Sequence, residues 1–185
     1  AFTEVAALRL GSAVDVRGDR VVIGRPYGDV QGQDGDLLLF RNGKRELLPS
    51  YRGVRSVRFI GDAAHPSIVI GDGWHQNYGQ MAQGRVSILS EDPTSGRYSL
   101  QIIDLDQSQY SFSKIFELSL DGKRYLAVLG PKAVVVYGPE GEWKRREVYS
   151  RPAEDTIMDV APLNSSGGKP LMVISDKGLR VGPAL

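Results

Sequence analysis

A unit of alternating strand, polar turn and apolar strand recurs four times along this chain, at a period of about 45 residues. The first copy runs Ala13-Val14-Asp15-Val16, then Arg17-Gly18-Asp19, then Arg20-Val21-Val22-Ile23-Gly24. The second has Val54 to Ile60, a turn from Gly61 to Pro66, and Ser67 to Asp72. The third has Ile115 to Ser119, Leu120 to Lys123, and Arg124 to Gly130; the fourth has Ile157 to Ala161, Pro162 to Gly168, and Lys169 to Asp176. A third strand follows in every copy: Asp36 to Arg41, Gly84 to Ser90, Lys132 to Tyr137, and Gly178 to Val181. In the first three copies a more polar fourth strand comes next, at Lys44 to Leu48, Arg97 to Asp104 and Trp143 to Tyr149.

Short apolar runs bounded by Gly, Pro, Asp and Asn are strand signals, and no segment has a persuasive helical period. A strand covered on both faces reads as a solid apolar run, whereas one at a wet edge carries charge, as Lys144, Arg145, Arg146 and Glu147 do. Four-stranded units at this period imply an all-β chain, a β-propeller of four-stranded antiparallel blades. The expected organisation is a single domain over 1–185, with repeats at about 12–53, 54–111, 112–155 and 156–185 plus 1–10. In this arrangement the Thr3 to Leu10 strand completes the last blade and closes a ring of four. The alternative is an arc belonging to a larger propeller.

Composition removes several functions. With 23 basic and 22 acidic side chains the net charge is +1, which gives no global field to draw nucleic acid or anionic lipid. No apolar run approaches the roughly 18 residues of a membrane span. Without cysteine there are no disulfides and no thiolate chemistry or thiolate-held metals, and two histidines cannot make a three-His zinc site. The expectation is therefore no cofactor, no metal, no nucleic-acid partner and no membrane insertion.

The residues Val21 to Phe40, VVIGRPYGDVQGQDGDLLLF, resemble the FG-GAP repeat of integrin-α-like propellers, with Gly24, Pro26, Tyr27 and Gly35 at the matching places. Ser67 to Leu89 looks like a second, stretched copy, and Tyr125 to Tyr137 and Leu171 to Val181 are similar to the related VCBS type. The resemblance implies an extracellular or periplasmic location, consistent with a first residue that is Ala rather than Met. It also implies calcium in the turns between first and second strands. Those turns offer only Asp19, Asp62, Asp121, and Asn164 with Ser165 and Ser166, short of the roughly 6–8 oxygen ligands calcium takes, so they are expected to be empty.

In an up-and-down sheet the loop between the second and third strands leaves from the same end as the connection to the next sheet. Two such loops are long, Gly24 to Gly35 and Gly71 to Gly84, and they belong to consecutive repeats. Long loops on a rigid scaffold are where binding concentrates. The candidate ligand-binding residues are Arg25, Tyr27, Asp29, Asp72, Trp74, His75, Asn77 and Tyr78. Aromatic faces stack on apolar surface while amides and carboxylates fix polar groups, which suits a carbohydrate or a protein ligand, adhesion included.

Two other functions stay open. A hydrolase or lyase would use Asp72, His75 and nearby carboxylates, and a structural subunit would assemble through exposed blade edges as an oligomer. Several motifs carry less. Arg17-Gly18-Asp19 reads as turn chemistry. Asp104 and Asp106, on one face of an extended chain, read as a solvated strand end. His65 before Pro66 reads as a turn residue, and Asn164-Ser165-Ser166 matches a glycosylation acceptor.

Overall fold

The first sheet comprises β1 (Ala13–Arg17), β2 (Arg20–Gly24), β3 (Leu37–Arg41) and β4 (Lys44–Leu48). The second comprises β5 (Ser56–Ile60), β6 (Ser67–Asp72), β7 (Gly84–Glu91) and β8 (Tyr98–Asp106). The third comprises β9 (Lys114–Leu120), β10 (Lys123–Leu129), β11 (Ala133–Tyr137) and β12 (Arg145–Ser150); the fourth, β13 (Ile157–Pro162), β14 (Leu171–Ser175) and β15 (Gly178–Val181). This computed structural model describes residues 13–25, 37–50, 53–72, 84–106, 114–120, 122–130, 133–150, 157–162, 171–175 and 177–181. Within them every regular element is a strand, every pairing is antiparallel and strand order follows chain order. Thr3 to Leu10, the segment expected to complete the last sheet, lies outside the described residues.

Turn chemistry sets the register locally. Arg41 pairs directly with Lys44, so Asn42-Gly43 is a two-residue hairpin loop, and both residues have positive φ, 51° and 70°. That is the type I′ geometry, whose twist matches the flanking strands and which Asn-Gly accommodates best. At the two polar outer strands the boundaries shift. Trp143 has φ 47°, so β12 starts at Arg145, and Arg97 belongs to the turn before β8.

The sheets stack face to face, and alternate residues of one strand serve different cores. Val22, Leu37 and Leu39 of the first sheet pack against Val57, Phe59, Ile68 and Ile70 of the second. The opposite face of the second, with Ile60, Val69 and Ile88, packs against Ile115, Val128, Val135 and Tyr137 of the third. Phe116, Leu118, Ala127 and Leu129 then form a cluster on the far face of the third. Burial on both faces explains why β6 and β11 are unbroken apolar runs: Ile68, Val69, Ile70, Val134, Val135 and Val136 are all 0% exposed. The innermost strands lie side by side in chain order, β1 by β5, β5 by β9 and β9 by β13.

Candidate functional site

The two long loops leave the same end of adjacent sheets, and their roots are tied to consecutive residues of one connector. The Val54 amide donates to the Arg25 carbonyl at 3.0 Å, and the Arg55 amide donates to the Gly71 carbonyl at 2.9 Å. Gly24 permits the first contact sterically. A Cβ there would stand 2.5 Å from Val54 Cγ1 and 3.1 Å from Val57 Cγ1, so any side chain would force the β2 end away from the connector.

At the second root, Asp72 and Arg85 are register partners across β6 and β7, flanking the loop 73–83. Arg85 Nε donates to Asp72 Oδ1 at 3.0 Å and Nη2 donates to Oδ2 at 2.8 Å, a bidentate fork. The Asp72 side chain is 0% exposed and that of Arg85 11%. The neck of this loop is therefore closed by a buried ion pair, and both oxygens of Asp72 are engaged by the protein itself.

Of the residues expected to bind ligand, Arg25 and Asp72 fall at these roots. Tyr27, Asp29, Trp74, His75, Asn77 and Tyr78 lie outside the described residues. Among the first-to-second-strand turns, Asp62 accepts from the Ala64 amide at 2.7 Å and so closes its own turn. Arg17 of the Arg-Gly-Asp tripeptide donates to the carbonyls of Phe59 and Gly61, each at 2.9 Å, which locks it onto the next sheet.

A second polar cluster sits at the opposite end, where the β1–β2 and β3–β4 turns meet the β7–β8 turn. Glu91, its side chain only 4% exposed, accepts from Arg20 Nη1 at 2.8 Å and from Arg41 Nη1. His65 Nδ1 stands 4.0 Å away. Burial works against the charged carboxylate, but the hydrogen bonds from Arg20 and Arg41 outweigh it and hold Glu91 below its ordinary range. The same carboxylate raises the Arg41 guanidinium through its hydrogen bond. The Tyr98 hydroxyl is pushed up by burial and then by the charge of Glu91. Beside it an open concavity of about 620 Å³ is lined by Asp92, Ser95, Arg97, Tyr98 and Ser99. Sequence reading missed this cluster, although a signal existed. Arg20 and Arg41 are cross-strand partners, and like charges placed opposite each other call for an anion between them.

Asp104 is not a solvated strand end. It accepts from Tyr137 Oη at 2.6 Å and from Arg145 Nη1 at 2.9 Å, tying the second sheet to the third. Arg145 is correspondingly an inter-sheet tie rather than only an edge charge.

No protein-family model matches the chain, and no curated protein matches it. Among solved structures it is similar to the N-terminal domain of Nup159, with a TM-score of 0.51 and 13% identity over 95% of this chain and 56% of that one. The same values hold for Nup159 in an S. cerevisiae assembly with a dbp5 variant, a gle1 variant, ip6 and adp. The chain thus spans little more than half the length of these neighbours. At this identity the likeness concerns the fold alone: an all-β architecture of antiparallel four-stranded sheets, similar to a β-propeller. An extracellular or periplasmic location is corrected by the same finding, because the neighbours are a domain of a nuclear pore component. The pattern from Val21 to Phe40 specifies strand, turn and strand geometry, and that geometry carries no information about compartment.

Proposed function

We propose that the chain is a non-catalytic binding module whose ligand is a protein, engaged by the two long loops on one face. The observation that carries this reading is the tethering of both roots to the adjacent amides of Val54 and Arg55. It sets Arg25 and Gly71 next to each other, so that segments 26–36 and 73–83 start from neighbouring points. Trp74 and Tyr78 supply aromatic anchors of the kind that dominate protein interfaces. A protein ligand is favoured over a carbohydrate because a fold neighbour, Nup159, is found bound to other proteins. A hydrolase or lyase is disfavoured because Asp72 gives both oxygens to Arg85. In this reading Asp72 positions the loop rather than touching ligand. We infer four blades per chain, the last completed from outside the described strands, and an FG-GAP/VCBS type of repeat on the residues Val21 to Phe40.

The test is a binding screen on arrays of proteins and glycans, comparing the natural chain with Trp74→Ala/Tyr78→Ala. Protein binding that disappears in the variant, with an unchanged melting temperature, is the expected outcome. Binding of glycans alone, or a variant that binds protein as well as the parent, would overturn the reading.

A further inference from the structure

The outer strand of a sheet ends in unpaired backbone groups, and proteins protect such edges with short strands, basic residues, Pro and bulges. The first and third sheets follow this rule. β4 is five residues long, carries Lys44 and Arg45 and is followed by Pro49. β12 is six residues long, carries Arg145 and Arg146, and its pairing shifts between Val134 and Val135. β8, the outer strand of the second sheet, is nine residues long and has no Lys, Arg or Pro from Tyr98 to Asp106. Its bulge falls at Ile103, because Ser87 pairs with Ile102 and Val86 with Asp104, and the stretch from Tyr98 to Ile102 is left regular.

Antiparallel strands exchange backbone hydrogen bonds at every second pair, and that alternation decides which groups face outward. The Asp92 amide donates to the Arg97 carbonyl at 2.9 Å, which makes Ser90 with Ser99 and Ile88 with Gln101 the bonded pairs further along. Tyr98, Leu100 and Ile102 therefore turn their N–H and C=O groups to the outer edge, where no strand among the described residues meets them. On one face of this stretch Tyr98 and Leu100 pack against the core between the first and second sheets, and Ile102, next in the alternation, is 44% exposed. On the other face Ser99 and Gln101 are exposed. The open concavity beside Glu91 has Tyr98 and Ser99 in its lining, so it sits at the start of this edge.

We propose that this edge captures an extended segment of a partner protein as an added strand. An extended main chain is the occupant because it presents donors and acceptors in the alternation that Tyr98, Leu100 and Ile102 offer. Its side chains alternate to match, apolar on the Ile102 face and polar on the face of Ser99 and Gln101. The residue beside Tyr98 enters the concavity, where Arg97 brings donors, so a side chain with acceptor oxygens suits it. A second copy of this chain fits the edge poorly. A five-residue stretch at about 3.4 Å per residue spans about 17 Å, and across a sheet about 10 Å thick that strip covers about 170 Å². A standard stable interface takes about 800 Å² from each partner. The edge lies at the end of the sheet away from the two loop roots, since Tyr98 pairs with Glu91.

Amide exchange on the free chain reads the edge directly. Tyr98, Leu100 and Ile102 should exchange at least about tenfold faster than Ser99 and Gln101. A display library of short peptides with alternating apolar and polar residues supplies the probe, and a selected peptide should protect those three amides when it binds. Ile102→Pro removes one outward N–H and no bond to β7, so it should weaken capture at least about tenfold at an unchanged melting temperature. Ile102→Lys keeps the backbone and charges the edge, and it should weaken capture to a similar degree. Trp74→Ala/Tyr78→Ala should capture the peptide as well as the parent does, so the edge and the loop-borne site stand or fall separately. Slow exchange at all three amides in the free chain overturns the proposal. So does a library that yields no binder, capture untouched by both Ile102 variants, or a dimer in sedimentation velocity that the Ile102 variants dissolve.

Discussion

Removing the carboxylate of Asp72 should destabilise the chain far more than an ordinary surface change. The substitution leaves the Arg85 guanidinium, 11% exposed, without the bidentate partner it holds at 3.0 and 2.8 Å. Breaking a buried pair on one side costs about 3–5 kcal/mol, because the remaining charge stays desolvated. For a chain of this size each kcal/mol lowers the melting temperature by about 2–4 °C, so Asp72→Ala should melt about 6–20 °C lower. Replacing both members, Asp72→Leu with Arg85→Met, should restore stability to within about 1 kcal/mol of the parent, since an apolar pair has no desolvation to recover. Urea unfolding followed by circular dichroism compares the parent with the single and the double variant. A loss below about 1 kcal/mol for Asp72→Ala, or a double variant no better than the single one, would refute the buried-pair reasoning. The double variant should also loosen the neck of segment 73–83 and weaken ligand capture while remaining folded.

Three further outcomes follow from the same geometry. Gly24→Ala should cost about 1–3 kcal/mol in a thermal melt, because its Cβ would meet Val54 Cγ1 at 2.5 Å. Ser87→Ala should leave stability unchanged or raise it by about 1 kcal/mol, since Ser87 is 0% exposed and its Oγ has no hydrogen-bond partner among the described residues. Glu91, whose carboxyl is held below its ordinary range, contributes stability that is whole above the unfolded carboxyl value of about 4.3 and is lost as pH falls through the lower folded value. Urea melts at neutral and at strongly acidic pH should therefore show a steeper acid loss for the parent than for Glu91→Gln.

The strands were legible because each apolar run is bounded by turn residues. Lys44 to Leu48 is delimited by Asn42-Gly43 on one side and Pro49 on the other, and β4 occupies just that span. Two outer strands read a residue or two long because Arg97 and Trp143 carry strand-like side chains, while turn geometry, including the positive φ of Trp143, claims them. The distant partners of the polar ties were not legible, even where facing arginines called for an anion. Arg20 and Glu91 are 71 residues apart, and Arg145 and Asp104 are 41 apart, so only the stacking of neighbouring sheets brings them together. Asp72 read as a loop ligand because its partner depends on register across an eleven-residue loop, which composition does not reveal. The exposure of Val14 and Val16 was also hidden, because their alternation is the same as that of buried strands.

Amide hydrogen exchange at Val54 and Arg55 tests the arrangement of the two loop roots most directly. Both amides lie just before β5, outside any strand, yet they donate to Arg25 and Gly71. They should exchange as slowly as the amides of β6. Exchange as fast as in an unstructured segment would mean that the roots are not held side by side and that the two loops do not share a face.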